Sequence, residues 1–309
     1  MSVARAADNL IAEFQSRPTV RAGSLITTVY GDAIAPRGGS VWIGSLISVM
    51  AEFGISERLV RTSVFRLSAD GWLESQSVGR RSFYGLTAEG AERFDRATHR
   101  IYGEPRQRWS GDWCLVLLGG VSPVHRDELR KELSWLGFGS ISSSVMAHPA
   151  PDEQELQARL ERQEIDGDVV VMTGQSAGAR QDQKLRSLAQ KSWNLDDINQ
   201  RYADFLELFR PVFAAVRRSK KPDSRRAFQI RTLLIQEYRK IMLRDPLLPR
   251  DLLPNDWSGL AAYQLCRNLY RSIHMAADDY LGDTMETVDG PLPPPAPEFY
   301  DRFGGLSRE

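Results

Sequence analysis

The order of local patterns in the first hundred residues constrains the fold more than any other feature of this sequence. Apolar residues recur over 42–53 with the i, i+3, i+4, i+7 spacing of an amphipathic helix. Gly54 can adopt the left-handed conformation that ends such a helix. Ser56 is a favourable N-cap for a second helix, which the pattern predicts over 57–69. Two helices separated by a tight turn are therefore expected.

A hairpin and a third helix are predicted directly after these two helices. Strand-like runs at 72–76 and 82–86 are joined by a short connection that contains a glycine, which favours a hairpin. Thr87 then caps a helix that is predicted to reach about His99. The order helix, turn, helix, hairpin, helix is that of a winged helix-turn-helix, which is the fold predicted for residues 1–105.

The second helix of this region carries the strongest functional signal. If Val60, Val64 and Leu67 face the core, the arginines and hydroxyl residues of the helix lie on its outer face. Arginine can bind guanine O6 and N7 with two hydrogen bonds, and Ser or Thr can contact phosphates or base edges. The predicted DNA-binding residues are Arg58, Arg61, Thr62, Ser63 and Arg66 on the helix, with Arg80 and Arg81 at the hairpin tip. The alternative is a solvated helix whose arginines maintain solubility.

The middle of the chain alternates between strand and helix patterns. Strand-like runs at 113–119, 141–147 and 168–173 enclose two helical segments, an order that suggests a small ferredoxin-like α/β domain. From residue 181 onward the chain reads as long amphipathic helices with a proline-rich tail. The predicted fold class is α+β and multidomain. The predicted domains cover residues 1–105, 106–180 and 181–309.

The net charge of the chain conceals an uneven distribution. It contains 40 basic and 40 acidic residues, so the formal net charge is zero. Residues 210–244 nevertheless hold eleven basic side chains against two acidic ones. An anionic partner would therefore have to bind a local patch. This basic stretch predicts an anion site for a nucleotide-like ligand or a second DNA-facing surface; the alternative is a solvated helix face paired with acidic flanks.

A second motif points to a different class of protein. Residues 174–178 read G-x-S-x-G after an apolar strand, as in the nucleophile elbow of an α/β hydrolase, and His274 follows later in the chain. The elbow requires a broad parallel sheet, whereas only two strand-like runs precede the strand that leads into it in this part of the sequence. A Ser176-dependent esterase or thioesterase is therefore kept as the alternative to a DNA-binding protein that is not an enzyme.

Composition disfavours several further classes of protein and site. Two cysteines cannot form a disulfide framework, and four histidines do not suggest a zinc cluster. No apolar run approaches the length that spans a bilayer, and the N-terminus lacks a basic region followed by an apolar stretch. A cytoplasmic protein with no cofactor, no metal and no membrane partner is expected.

Several unusual strings of residues resemble one known family along almost the whole chain. In the N-terminal region they lie at 25–32, 37–39, 42–46, 57–62, 65–67, 71–73 and 79–84. Further along the chain they lie at 135–139, 209–211, 245–249, 252–254 and 302–306. These strings resemble PaaX, the family of repressors of phenylacetic acid catabolism.

The resemblance implies an architecture and a function. The expected protein has an N-terminal winged helix, a central ferredoxin-like domain of the Cas2 type and a helical C-terminal domain. It is expected to be a homodimer that binds double-stranded operator DNA and represses genes for phenylacetate breakdown. Phenylacetyl-CoA is the effector that the resemblance implies, and a DNA-binding scaffold without an effector is a further alternative.

An acyl-CoA effector would require basic groups for its phosphates and aromatic surfaces for adenine and the phenyl ring. The basic stretch and its neighbouring aromatic residues match those requirements. The predicted effector-binding residues are Trp193, Arg217, Arg218, Arg225, Arg226, Arg231, Tyr238 and Arg239.

Overall fold

The structure is a computed structural model of the chain and combines helices with antiparallel sheets. It describes residues 2–17, 22–105, 109–149, 151, 153–162, 169–175, 179–219 and 222–307. The chain forms two compact units. The first comprises Met1–Glu104, Asp204–Leu243 and Ala261–Glu309, and the second comprises Pro105–Ala203 and Arg244–Leu260.

The N-terminal part of the first unit contains five helices and a three-stranded sheet. These elements are α1 (Val3–Ser16), α2 (Ala22–Val29), β1 (Ser40–Trp42), α3 (Ile43–Ala51), α4 (Glu57–Ala69), β2 (Leu73–Val78), β3 (Arg81–Leu86) and α5 (Ala88–Tyr102). A π-helical turn, Tyr30–Ile34, and a short 3-10 helix, Ala35–Arg37, follow α2. The sheet has the antiparallel order β1-β3-β2. Helix α4 has the predicted bounds.

The hairpin of this sheet is longer than predicted. Its strands pair as far as Val78 and Arg81, so a two-residue loop replaces the predicted five-residue connection. Gly79 is the first loop residue and has a φ of 59°, a conformation that favours glycine in such short hairpins. Arg80 is the second loop residue and is exposed. We call β2, β3 and this loop the wing.

The remainder of the first unit comes from the C-terminal part of the chain. Its elements are α9 (Leu195–Arg217), which begins in the second unit, α10 (Ser224–Met242), α11 (Gly259–Thr284), β8 (Glu286–Thr287) and β9 (Gly290–Pro291). Helix α10 packs against α1, α2 and α5, and most of its side chains are buried. The C-terminal helices therefore share a core with the N-terminal region. The division of the chain into three domains, over residues 1–105, 106–180 and 181–309, stays a prediction.

The second unit is built on a four-stranded antiparallel sheet. Its elements are β4 (Asp112–Leu117), α6 (Pro123–Trp135), β5 (Gly139–Ser142), β6 (Val145–His148), α7 (Glu153–Arg162), β7 (Val170–Gln175) and α8 (Ala179–Trp193). The sheet order is β5-β6-β4-β7. The single strand predicted over 141–147 was wrong, because the chain turns at Ser143 and Ser144 and pairs with itself. Val116, Leu129 and Met146 belong to the apolar core of this unit.

The G-x-S-x-G motif at residues 174–178 extends beyond the described residues. Ser176, with the two residues that follow it, lies outside the described residues. Within the part of the chain that the structure describes, no helix is both long and apolar enough to cross a membrane. Cys114 and Cys266 are both free and buried, each in a different unit.

Candidate nucleic-acid interface

Helix α4 is fixed to the first unit by one of its faces. Val60 and Val64 are fully or almost fully buried, and Leu67 is half-buried on the same side. The turn before α4 contains Gly54, whose φ of 72° lies in the left-handed region, and Ile55, which is buried. The turn therefore fixes where α4 begins relative to α3.

The opposite face of α4 presents basic and hydroxyl side chains to solvent. Arg58, Arg61, Thr62 and Arg66 are all exposed, as predicted from the helical spacing. Arg61 Nε donates to Glu57 Oε1 over 2.8 Å, one turn earlier. Both side chains of this ion pair are more than half exposed, so water weakens it and Arg61 can exchange it for another acceptor at little cost.

Ser63 is the exception among the predicted residues of α4. It is only 8% exposed and faces α2, where a Cβ on Gly23 would lie 3.9 Å from the Ser63 Cβ. A small side chain is needed where the two helices approach this closely. Ser63 therefore faces the core rather than the outer side of α4, and its contact with DNA stays a prediction.

The two arginines predicted at the hairpin tip have different surroundings. Arg80 lies in the loop of the wing and is exposed. The Arg81 guanidinium lies 4.4 Å from the centre of the Trp42 ring, a cation–π contact. Arg81 Nη1 also lies 2.5 Å from Glu286 Oε2. Arg81 is therefore held at the base of the loop, and Arg80 is the arginine at the tip.

The partner of Arg81 comes from the C-terminal part of the first unit. Glu286 belongs to β8, and its backbone N–H donates to Ser45 Oγ in α3 over 3.0 Å. The short hairpin of β8 and β9 thus contacts both α3 and the wing through Glu286. Sequence reasoning missed this contact because 205 residues separate Arg81 and Glu286 and neither lies in a recognisable motif.

A buried ionic cluster lies between the N-terminal and C-terminal parts of the first unit. Asp32, in the π-helical turn after α2, accepts from Arg231 Nε over 2.6 Å and from Arg302 Nη1 over 3.0 Å. Arg231 Nη1 also lies 2.5 Å from Asp278 Oδ1, and Arg37 Nη2 lies 2.6 Å from the same oxygen. We call these five residues the ionic cluster. It joins the segment 30–37 that follows α2 to α10, α11 and the C-terminal segment, through charge-assisted hydrogen bonds and, at Arg37, an ion pair with Asp278.

Asp32 is the centre of the cluster and remains ionised. Its side chain is 4% exposed, and it also accepts hydrogen bonds from the Tyr102 and Tyr270 hydroxyls over 2.7 and 2.9 Å. Burial alone would raise the pKa of Asp32, but Arg231, Arg302 and the Tyr102 hydroxyl together hold it below its ordinary value. An acid within the otherwise uncharged stretch 25–34 was the sequence signal that could have indicated this site.

Several of the predicted effector-binding residues of the basic stretch have partners within the first unit. Three of the arginines are paired with the N-terminal part of the first unit. Arg225 Nε lies 2.5 Å from Glu52 Oε2, and Arg226 Nη1 lies 2.7 Å from Asp8 Oδ1. Arg239 Nε donates to Thr28 Oγ1 over 2.6 Å, and the same guanidinium donates to Ser24.

Three further predicted effector residues are buried within the two units. Arg231 belongs to the ionic cluster, and Tyr238 packs beside Phe205 in the core. Trp193 belongs to the second unit, where its indole N–H donates to the Gly137 carbonyl over 2.6 Å. These side chains contribute to the fold through these contacts, and their role in effector binding stays a prediction. Of the predicted set, Arg217 and Arg218 at the end of α9 and Arg225 in α10 are exposed.

Comparison with known proteins agrees with the resemblance seen in the sequence. Three family models match: PaaX-like protein over residues 21–90, PaaX protein central Cas2-like domain over 106–186 and PaaX-like protein C-terminal domain over 193–283. The chain is 37% identical over 303 residues to the transcriptional repressor PaaX of Escherichia coli K12, covering 98% of this chain and 96% of the relative.

A solved structure, the uncharacterized protein Rv0674 from Mycobacterium tuberculosis, is 21% identical, with a TM-score of 0.49 over 76% of this chain and 89% of that one. The family models together cover most of the sequence, and the E. coli relative aligns from end to end. This chain therefore belongs to the PaaX family.

Proposed function

We propose that this protein is a DNA-binding transcriptional repressor that acts in the cytoplasm. The observation that carries the proposal is the exposed face of α4, which places Arg58, Arg61, Thr62 and Arg66 on one side of a helix anchored by its other side. An α-helix of this kind fits the major groove of B-DNA, where arginine discriminates guanine from the other bases. The name of the E. coli relative, a transcriptional repressor, supports the same function.

The elements around α4 support a winged helix-turn-helix in this role. The order α2, β1, α3, α4, β2, β3 and the three-stranded sheet agree with that fold. With α4 in the major groove, the exposed loop of the wing would contact the adjacent backbone through Arg80. In the second unit, the order β-α-β-β-α-β supports a ferredoxin-like domain.

The proposed effector is phenylacetyl-CoA, which would release the protein from the operator. Family membership supports this part of the proposal. A ligand shifts an equilibrium only by the difference between its affinities for the two states, so phenylacetyl-CoA must bind the DNA-free state more tightly. A hundredfold loss of DNA affinity corresponds to about 2.7 kcal/mol of coupling. Arg217 and Arg218 are exposed, and Arg225 is exposed but paired with Glu52, so a search for the residues that bind the CoA phosphates should begin at Arg217 and Arg218.

A homodimer is proposed because two copies of α4 would bind two half-sites of a near-palindromic operator. Half-sites one helical turn apart, about 34 Å, would place both helices on the same side of the duplex. Effector binding would then change the geometry of the dimer so that the two helices no longer match this spacing.

An equilibrium titration tests the proposed function. The full-length protein is titrated at fixed salt with the intergenic DNA beside its own gene and with a scrambled duplex of equal composition. Each titration is repeated with phenylacetate and with phenylacetyl-CoA. Release by the thioester alone supports the effector assignment. Tight specific binding that neither compound alters would leave a DNA-binding protein with a different effector or none.

A further inference from the structure

Phe65 is a large apolar side chain on the exposed face of α4. It is 73% exposed, although Val60 and Val64 on the other side of the same helix are buried. Burying a phenyl ring stabilises a fold by roughly 1.5–3 kcal/mol. Because the Phe65 ring is exposed, it contributes little of this free energy to the stability of the DNA-free protein. An isolated apolar residue on a surface is ordinary, and the position of this one on the helix is what makes it informative.

Phe65 lies within the face that we assign to DNA. At 100° per residue, Phe65 projects between Arg61 and Arg58 in direction, and Thr62 and Arg66 lie beyond Arg58 on the same face. All four neighbours are exposed and all are basic or hydroxyl residues. The apolar ring therefore lies within a surface that is otherwise suited to phosphates and base edges.

The major groove contains one apolar group that such a ring can contact. The C5 methyl of thymine projects into the groove, and phenylalanine is among the side chains that pack against it. We propose that Phe65 is a specificity-determining residue that packs against a thymine methyl group of the operator. This inference rests on the proposed function, since it requires α4 to enter the major groove.

The geometry of the helix also predicts where that thymine lies. Arg61 and Phe65 are four residues apart on α4, which corresponds to about 6 Å along the helix axis. Base pairs in B-DNA are spaced by 3.4 Å, so the contacted thymine should lie about two base pairs from the base that Arg61 reads.

The experiment removes single methyl groups from the DNA. A duplex containing the operator is made with each thymine replaced in turn by deoxyuridine, which lacks only the C5 methyl. Dissociation constants are measured for the wild-type protein, Phe65→Ala and Leu59→Ala. Leu59 is a matched control because it is a partly exposed apolar residue near the start of the same helix. Thermal unfolding of the two variants checks that neither substitution disrupts the fold.

We expect one thymine position per half-site at which deoxyuridine weakens wild-type binding about fourfold, the effect of one buried methyl group. At that position Phe65→Ala should bind thymine and deoxyuridine equally, whereas Leu59→Ala should keep the fourfold difference. The position should lie about two base pairs from the one at which Arg61→Ala relaxes discrimination.

Three different outcomes would reject either the proposed function or the assignment of Phe65 to a thymine contact. If the wild-type protein does not prefer the operator, the proposed function fails and the assignment of Phe65 fails with it. If the operator is preferred and Phe65→Ala keeps the deoxyuridine effect, the assignment of Phe65 alone fails. If Phe65→Ala changes the sedimentation coefficient of the free protein, Phe65 belongs to a contact between copies of this chain instead.

Discussion

Replacing Asp32 by Asn is the perturbation that tests the ionic cluster most sharply. The substitution keeps the shape of the side chain and removes its charge. In the wild-type protein, Arg37, Arg231 and Arg302 face two carboxylates, so the cluster has a formal charge of +1. With Asn at position 32 the formal charge becomes +2, because Asp278 is then the single remaining carboxylate of the five residues.

The expected destabilisation follows from the contacts of Asp32. Its two oxygens accept from Arg231 Nε over 2.6 Å and from Arg302 Nη1 over 3.0 Å. An Asn side chain offers one oxygen and one N–H₂ group, so a donor would face a guanidinium donor at one of these positions. Removing one partner of a buried ion pair costs about 3–5 kcal/mol, and we expect Asp32→Asn to lower the free energy of unfolding by that amount.

The pH dependence provides a second measurement of the same cluster. The folded-state pKa of Asp32 is lowered, so its ionised form stabilises the fold. This contribution is complete above the unfolded value of about 3.9 and is lost as pH falls through the lower folded value. The difference between wild type and Asp32→Asn should therefore be constant from about pH 8 to pH 5 and shrink in more acidic solution.

Chemical denaturation at several pH values is the appropriate assay, with Asp279→Asn as the matched control. Asp279 is exposed and directly follows Asp278 on α11, so its replacement should change the free energy of unfolding by less than about 0.5 kcal/mol. If Asp32→Asn is no more destabilising than Asp279→Asn, the cluster does not hold the two parts of the first unit together as described.

Four further variants probe the DNA and effector surfaces. Arg61→Ala should weaken operator binding by roughly 1–3 kcal/mol and leave binding to scrambled DNA nearly unchanged in a paired titration. Arg80→Ala should weaken binding to all sequences and reduce the slope of log K against log salt by about one. Glu286→Gln removes a negative charge beside the wing, so it should strengthen binding to any duplex at low salt and lose this effect at high salt. Joint replacement of Arg217 and Arg218 by alanine should weaken phenylacetyl-CoA binding in calorimetry while operator affinity without the effector stays unchanged.

Local sequence patterns predicted the elements whose boundaries are determined by residues nearby in the chain. The bounds of α4 follow from the 3.6-residue spacing of Val60 and Val64 together with the N-cap position of Ser56, all within a few turns of chain. The strand β1 has three residues and pairs with β3, more than 40 positions later, so no local period marks it. The strand predicted over 141–147 contains a turn of serines, which an apolar pattern does not detect.

The sequence did not predict the surroundings of several side chains at the candidate sites, because the direction of a side chain depends on partners that are distant in sequence. Arg231 lies in a run of basic residues that resembles a solvated face, but Asp32, 199 residues away, draws it into the core. Ser63 was included with the outer-face residues because it carries a hydroxyl and follows Thr62, whereas the close approach of α2 is what requires a small residue there.

The central claim is that α4 lies in the major groove of the operator, and directed cleavage of DNA tests it most directly. Cys114 and Cys266 are both buried, so Thr62→Cys provides an exposed thiol for an iron chelate that cleaves nearby DNA. Ser272→Cys provides a control on an exposed position of α11. We predict that the chelate at position 62 cuts at fixed positions within each operator half-site, and that the chelate at position 272 does not. Cleavage with no fixed position, or the same cleavage pattern from both proteins, would contradict the account.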